Sequence, residues 1–229
     1  MIGLYPKLTC LKMINWNTID TVLLDMDGTI LDLHFDNYFW QEYIPQRYAE
    51  NHSLTLDQAK AELKPRFTQA YGKLEWYCLD YWGKELNLDI MAMKREITHL
   101  ISFRPHAQLF LQKLKDMGKQ VVMITNAHRG SLSLKLEYLP MAHYFDKLIS
   151  SHDYGYPKES PAFWQSLETE INLDKTKALF IDDNAHILDS AKHYGIAYLL
   201  AISYPDSQLG AWETGNYQAV NDFRELIHE

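Results

Sequence analysis

A chain of 229 residues with 47% apolar composition can bury a sizeable core, as one large domain or as a domain carrying a smaller insertion. A formal net charge of -8 argues against nucleic acid and anionic membrane surfaces as partners, since both demand clustered Lys and Arg, and an anionic substrate would need a local cation. Cys10 and Cys78 without a CxxC spacing, no signal-peptide core before Met13, and no run of about eighteen apolar residues predict a cytoplasmic protein with reduced thiols and no membrane span. The first dozen residues are unlike the rest, and Met13 is an alternative start.

The first predicted strand, Thr21 to Leu24, runs into Asp25-Met26-Asp27-Gly28-Thr29. One carboxylate there could attack phosphorus and hold the phosphoryl group, and the other could protonate the departing oxygen. Gly28 permits a sharp turn and Thr29 offers a hydroxyl, although an Asp-Gly turn closing a strand explains the same five residues. From Leu33 to Phe103 about seventy residues lack strand-like runs, too many for a plain crossover, which predicts a separate helical unit inserted after the first strand. Its aromatics, Tyr38, Trp40, Trp76, Tyr77, Tyr81 and Trp82 among them, are expected mostly to pack a small core, with a minority free to stack on a planar ligand.

Strands and helices then alternate. A helix over Pro105 to Met117, with Leu109, Phe110, Leu114 and Met117 inward and Gly118 as its stop, precedes strands at Gln120 to Thr125 and Lys147 to Ser150. Ser160-Pro161 opens a helix that buries Phe163, Leu167 and Ile171. After a strand at Ala178 to Ile181, Asn184 caps a helix with Ile187, Leu188, Ala191 and Tyr194 inward and Gly195 at its end, and a strand follows at Ala197 to Ile202. The tail from Asn216 to Glu229 reads as a polar turn and a final helix. The alternation predicts an α/β protein whose parallel sheet is covered on both faces.

Open parallel sheets bind ligands beyond the carboxyl ends of their strands, so the polar residues after each apolar run belong together. They are Asp25 and Asp27, Thr125-Asn126, Lys158, and Asp182-Asp183. Singly, Thr125-Asn126 suits a helix cap and Lys158 a solvated surface; the four sets in this order suit a phosphate site. Like-charged carboxylates about 4 Å apart repel by about 4 kcal/mol per pair at an effective dielectric near 20, which calls for a divalent cation. Oxygen ligands without a His or Cys cluster point to Mg2+, while Lys158 and the Thr125 hydroxyl could hold the remaining phosphate oxygens. His128 and His152 are expected at the surface or in caps, and Asp189 on an exposed helix face.

Taken together, these residues resemble the haloacid dehalogenase superfamily, whose phosphatases carry DxDGT, then Ser or Thr, then Lys, then an acidic pair. The resemblance implies a Rossmann-like parallel-sheet core from residues 14-32 and 104-229 and an inserted helical cap over 33-103 that selects substrate. It makes Asp25 the nucleophile and a metal ligand, and Asp27 the general acid and base with a metal-binding carbonyl. Thr125 and Lys158 would bind phosphate, and Asp183, with Asp182 in support, would complete the metal site. Members that cleave carbon-halogen bonds lack the second aspartate, so Asp27 favours phosphate chemistry. Two departures stand out: Lys158 is followed by Glu159-Ser160-Pro161 instead of directly by proline, and Asp182 replaces a common glycine.

The segments LLDMDGTILDLHFDNYFW (Leu23 to Trp40), WYCLDYWGKELNLDI (Trp76 to Ile90), TNAH (Thr125 to His128), GYPKE (Gly155 to Glu159) and LFIDDNAHILD (Leu179 to Asp189) are similar to bacterial GMP/IMP 5'-nucleotidases of that superfamily. This implies Mg2+-dependent removal of phosphate from a purine nucleotide through an aspartyl phosphate. Trp40, Trp76 and Tyr77 become candidates for base stacking, Asn37 and Asp80 for reading a base edge, and Thr29 and Asn126 for contacts near the phosphate. A sugar phosphate, phosphoglycolate, a phosphomutase reaction or a non-catalytic phosphate-binding role are the alternatives; no oligomeric state is implied.

Overall fold

A computed structural model describes residues 14-227 of the chain; Cys10 and the alternative start at Met13 lie outside the described residues. Strands β1 (Thr21–Leu24), β2 (Gln120–Thr125), β3 (Lys147–Ser150), β4 (Ala178–Asp182), β5 (Tyr198–Ile202) and β6 (Ala219–Val220) form one parallel sheet in the order β3-β2-β1-β4-β5-β6. The order reverses beside β1, where such sheets leave a crevice at their carboxyl edge. Register aims the polar residues into that crevice. Leu24 lies level with Met123 and Ile181, so the next residues, Asp25 and Asp182, stand side by side at the sheet's end.

Strands buried on both faces read as unbroken apolar runs, and β1 is buried throughout. Leu23, Val122 and Phe180 face α9 (Pro161–Ile171) and α10 (Ala185–Tyr194), meeting Phe163, Trp164, Leu167 and Leu188. Val22, Leu24, Met123 and Ile181 face the other way, into a core with α7 (Ala107–Asp116) and α8 (Arg129–Tyr138). Ser160 and Asn184 cap α9 and α10 as their sequences predict, and Gly195 ends α10 at φ +104°.

Two expectations fail. In α7 the buried residues are Ala107, Phe110, Leu111 and Leu114, an i, i+3, i+4, i+7 stripe; Leu109 and Met117 lie off it and are exposed. The tail reaches no α-helix among the described residues, only a short 3-10 helix. It adds β6 to the sheet edge and closes with a 3-10 turn at Phe223–Leu226, whose Asp222-Glu225 capping box and Phe223-Phe110 stack at 4.7 Å fix it locally.

Between β1 and α7 the chain leaves the sheet and returns. The outgoing and incoming strands touch at Leu31 and Phe103, and Asp32 N–H donates to Ser102. From His34 to Leu100 the path is helical: α1 (His34–Tyr38), a π-turn (Phe39–Tyr43), α2 (Ile44–His52), α3 (Leu56–Ala70), α4 (Leu74–Tyr77), α5 (Leu79–Leu86) and α6 (Ile90–Glu96). Phe35, Phe39, Leu63 and Trp82 are buried here, and their core is continuous with the one beneath α7 and α8. No helix among the described residues is long and apolar enough to cross a membrane.

Candidate active site

The turn after β1 is knotted by Ile30 and Leu31 N–H groups, which both donate to the Met26 carbonyl, and by Gly28 N–H donating to Leu31. Gly28 sits at φ +87°, and a Cβ there would come within 2.5 Å of Asp183 Oδ2. Glycine therefore does two things: it takes the left-handed turn and lets the Asp183 carboxylate close against the β1 loop.

Lys158 is buried and bridges the two strand ends, its Nζ donating to Asp25 Oδ1 at 2.5 Å and Asp182 Oδ2 at 2.7 Å. Its backbone is clamped as firmly. Lys158 N–H donates to Asn126 Oδ1, and its carbonyl accepts from Trp164 Nε1 and the Ser190 hydroxyl. Thr125 Oγ1 accepts from Ala127 N–H, which leaves the hydroxyl proton for a ligand. Asn126 and Lys158 thus reach the cavity as one preassembled unit.

Glu159, the departure from lysine-proline, has a structural role. Its carboxylate accepts from Asn126 Nδ2 at 2.9 Å and from the Tyr77 hydroxyl at 2.8 Å, joining the helical excursion to the loop after β2. Burial, reinforced by Glu159, pushes the Tyr77 phenol up, so it stays a hydrogen-bond donor.

A second buried network meets Asp27. Lys135 on α8 donates to Asp27 Oδ1 and to Asp36 Oδ2, each at 2.5 Å, and Lys94 on α6 donates to Asp36 Oδ1 at 2.7 Å. The result is a line of alternating charge from the excursion to the strand end. Sequence reading missed Lys135, Asp36 and Lys94; the available signal was a lysine falling on the buried stripe of each helix, Ile90-Met93-Lys94 on α6 and Ser131-Leu134-Lys135 on α8.

Burial dominates the electrostatics. It pushes both Asp25 and Asp27 up to about 6 against the pull of Lys158 and Lys135 respectively. Asp183 rises well above the carboxylate range through burial and then the charges of Asp182 and Asp25. Burial would deprotonate Lys158, but Asp182 and Asp25 outweigh it and raise the ammonium. Five carboxylates (Asp25, Asp27, Asp36, Asp182 and Asp183) face three ammonium groups (Lys94, Lys135 and Lys158), leaving two negative charges when all are ionised.

Above these groups lies a cavity of about 370 Å³. The core contributes Asp25, Asp27, Thr125, Asn126, Lys158, Asp182 and Asp183; the excursion contributes Asn37, Trp40, Phe67, Tyr71, Trp76 and Tyr77. Trp40 and Trp76 stand edge-on to Phe67, at 6.1 and 6.0 Å between ring centroids. Asn37 lines the wall with its Nδ2 committed to Asp206. Two predicted contacts are corrected. Thr29 is wholly buried outside the cavity lining, its Oγ1 without a hydrogen-bond partner. Asp80 lies off the Leu79-Trp82-Leu86 stripe of α5 and points outward, 77% exposed, toward His128. His128, expected at the surface or in a cap, caps α8 by accepting from Gly130 N–H and also lines the cavity.

A family profile described as haloacid dehalogenase-like hydrolase matches residues 19-195, a span holding every carboxylate and lysine of the site. The chain belongs to the haloacid dehalogenase-like hydrolases. Similarity to the GMP/IMP nucleotidase YrfG of Escherichia coli K12 reaches 41% identity over 214 residues, 93% of this chain and 96% of that one. Similarity to (S)-2-haloacid dehalogenase 2 of Pseudomonas sp. strain CBS-3 is 25% over 76% of this chain and 80% of that one. A haloacid dehalogenase-like phosphatase from Thermococcus onnurineus shares the fold, with TM-score 0.75 at 20% identity over 91% of this chain and 96% of the other. Within the family, the chain is an enzyme of the phosphoric monoester hydrolase class.

Proposed function

We propose that this hydrolase is a Mg2+-dependent 5'-nucleotidase that converts GMP or IMP to nucleoside and phosphate through an aspartyl phosphate. The observation carrying the reading is Asp25 paired with Lys158, and Asp27 paired with Lys135, beneath a cavity walled by Trp40, Trp76 and Tyr77. Likeness over nearly the whole length to a GMP/IMP nucleotidase supports the substrate class. Residues 33-103 act in this reading as the cap that selects substrate, and the acidic sequence without a disulfide framework suits a cytoplasmic enzyme.

The donor set fits Mg2+. It is all oxygen, it is crowded enough for burial to raise Asp25 and Asp183, and with Asp36 and the three lysines it belongs to a network that carries two surplus negative charges when fully ionised. Asp25, Asp183 and the Asp27 carbonyl would hold the cation. Asp182 supports them from behind, since its oxygens already accept from Lys158 and Asn184 N–H. When bound, the cation supplies Lewis-acid polarisation of the phosphoryl group and offsets carboxylate repulsion.

Asp25 attacks phosphorus in line while Lys158 and the Thr125 hydroxyl hold phosphoryl oxygens, neutralising charge that grows in the transition state. Asp27, raised to about 6 by burial, retains enough proton near neutral pH to protonate the nucleoside 5'-oxygen. It then takes a proton from the water that hydrolyses the aspartyl phosphate, which returns both carboxylates to their starting state. Trp40, Trp76 or Tyr77 stacks on the base.

The test is phosphate release at pH 7 with Mg2+ across IMP, GMP, AMP, pyrimidine monophosphates, phosphoglycolate and sugar phosphates, with chelator and Asp25→Asn as controls. Preference for 6-oxopurine monophosphates is expected, with turnover lost in both controls. Activity confined to another phosphate would retain the chemistry and discard the substrate, and full activity of a folded Asp25→Asn protein would overturn the mechanism.

A further inference from the structure

Beside the cavity wall, and apart from the carboxylates, Cys78, His128 and His152 converge. Each offers one ligand atom, and these atoms lie within 4.8 Å of one another. They come from three places: Cys78 from the junction of α4 and α5, His128 from the start of α8 after β2, and His152 from the turn after β3. A tetrahedral zinc site with metal-ligand bonds of about 2.0 to 2.3 Å sets sulfur and nitrogen roughly 3.5 Å apart, so modest side-chain movement closes this cluster around an ion.

The surroundings point the same way. His152 Nε2 is buried without any hydrogen-bond partner, which is costly for an imidazole nitrogen unless something meets it. Burial and the neighbouring His128 hold the His152 ring below its ordinary value, so it is neutral at pH 7, the state that ligates metal. Cys78 is a free thiol whose sulfur accepts from Tyr81 N–H at 3.4 Å, a contact that also suits a thiolate ligand. His128 Nε2 lies 3.8 Å from Asp80 Oδ2, the outer carboxylate partner that metal-bound histidines commonly have. His128 Nδ1 accepts from Gly130 N–H, and binding through Nδ1, which leaves Nε2–H toward Asp80, gives up that one bond.

We propose that Cys78, His128 and His152 form a second metal site, selective for a borderline-soft divalent cation of the Zn2+ class, that ties the helical excursion to the core. Water completes the tetrahedron, and Asp80 orients His128. Soft sulfur and imidazole donors separate this site from the all-oxygen site, which favours Mg2+. Because Tyr77 and His128 line the cavity, occupancy fixes one of its walls.

Co2+ is the probe for ligand type, titrated into the full chain in excess Mg2+. We expect one equivalent to produce a thiolate-to-cobalt charge-transfer band and the intense visible bands of a tetrahedral site, both displaced by Zn2+. Cys78→Ser should lose the charge-transfer band, His152→Asn should weaken Zn2+ binding by roughly tenfold or more, and Asp183→Asn should alter neither. Zn2+ should raise the unfolding temperature of the parent protein and not of Cys78→Ser. Absence of the band, or its persistence in Cys78→Ser, would overturn the site; neither readout depends on phosphatase turnover.

Discussion

Lys135 offers the sharpest test at the scale of one residue. Its ammonium is buried between Asp27 and Asp36, so replacing it with Met leaves Asp27 facing Asp36 without a cation of its own, while Asp36 keeps Lys94. Breaking a buried pair this way costs about 3 to 5 kcal/mol of stability. It also frees the Asp27 side chain at the step where its proton must reach the leaving oxygen. We expect Lys135→Met to lower kcat by about a hundredfold while KM changes little, because Lys135 lies outside the cavity lining. Steady-state kinetics on the folded variant decide it; a rise in KM at constant kcat would assign Lys135 to substrate binding. Asp25, Asp27, Asp182 and Asp183 were legible in the sequence because they follow apolar runs of strand length. Lys135 was not, since its partners lie 108 and 99 residues away and only the folded chain brings them together. Asp80 was misread for a related reason: its residue type suits a base edge, but helix phase turns it outward.

Between elements, two of the polar ties that hold the excursion to the core bear directly on the site. One is Asp36, which joins α1 to Lys94 of α6 and Lys135 of α8. Burial would raise its carboxyl, yet Lys135 and then Lys94 prevail and hold it at about 2. An acid whose folded value lies below its ordinary one adds stability above that ordinary value and loses it as pH falls through the folded one. The margin by which the parent exceeds Asp36→Asn should therefore shrink by about 2 kcal/mol between pH 5 and pH 2, measured by denaturant unfolding. The other tie is Glu159. Tyr77→Phe should lower kcat/KM about two- to tenfold, the worth of one hydrogen bond, and Glu159→Gln more, since it also loosens Asn126 and through it Lys158. Kinetics of the two variants and their double mutant should be non-additive; simple additivity would mean that the contacts act separately. The main strands and α9 and α10 were legible from period and caps, whereas the tail was not. Its β6 depends on pairing with β5, and Arg104 fastens it by donating to the Tyr204 and Asn221 carbonyls, contacts that no local pattern announces.

Across the whole molecule, the consequence of burying so many carboxylates is a fold under electrostatic load at its sheet end. Asp25 and Asp183 are raised by burial before any neighbour acts, so the ionised site is held together at a cost that a bound divalent cation removes. A ligand that binds only the folded state stabilises it by about 2.7 kcal/mol at a hundred times its Kd, which for a chain of this size raises Tm by about 5 to 10 °C. Mg2+ should produce that rise in differential scanning fluorimetry at pH 7. Asp183→Asn should be more stable than the parent without Mg2+, because one of the crowded charges is gone, and should gain little when Mg2+ is added. A parent indifferent to Mg2+, or an Asp183→Asn protein that responds as the parent does, would remove Asp183 from the metal site. The paired measurement with Zn2+ separates the two centres: its stabilisation should survive Asp183→Asn and vanish in Cys78→Ser, the reverse of the Mg2+ pattern. Opposite responses in the same two variants would mean that one cation relieves repulsion at the strand ends while the other fastens the helical excursion, two independent restraints on one cavity.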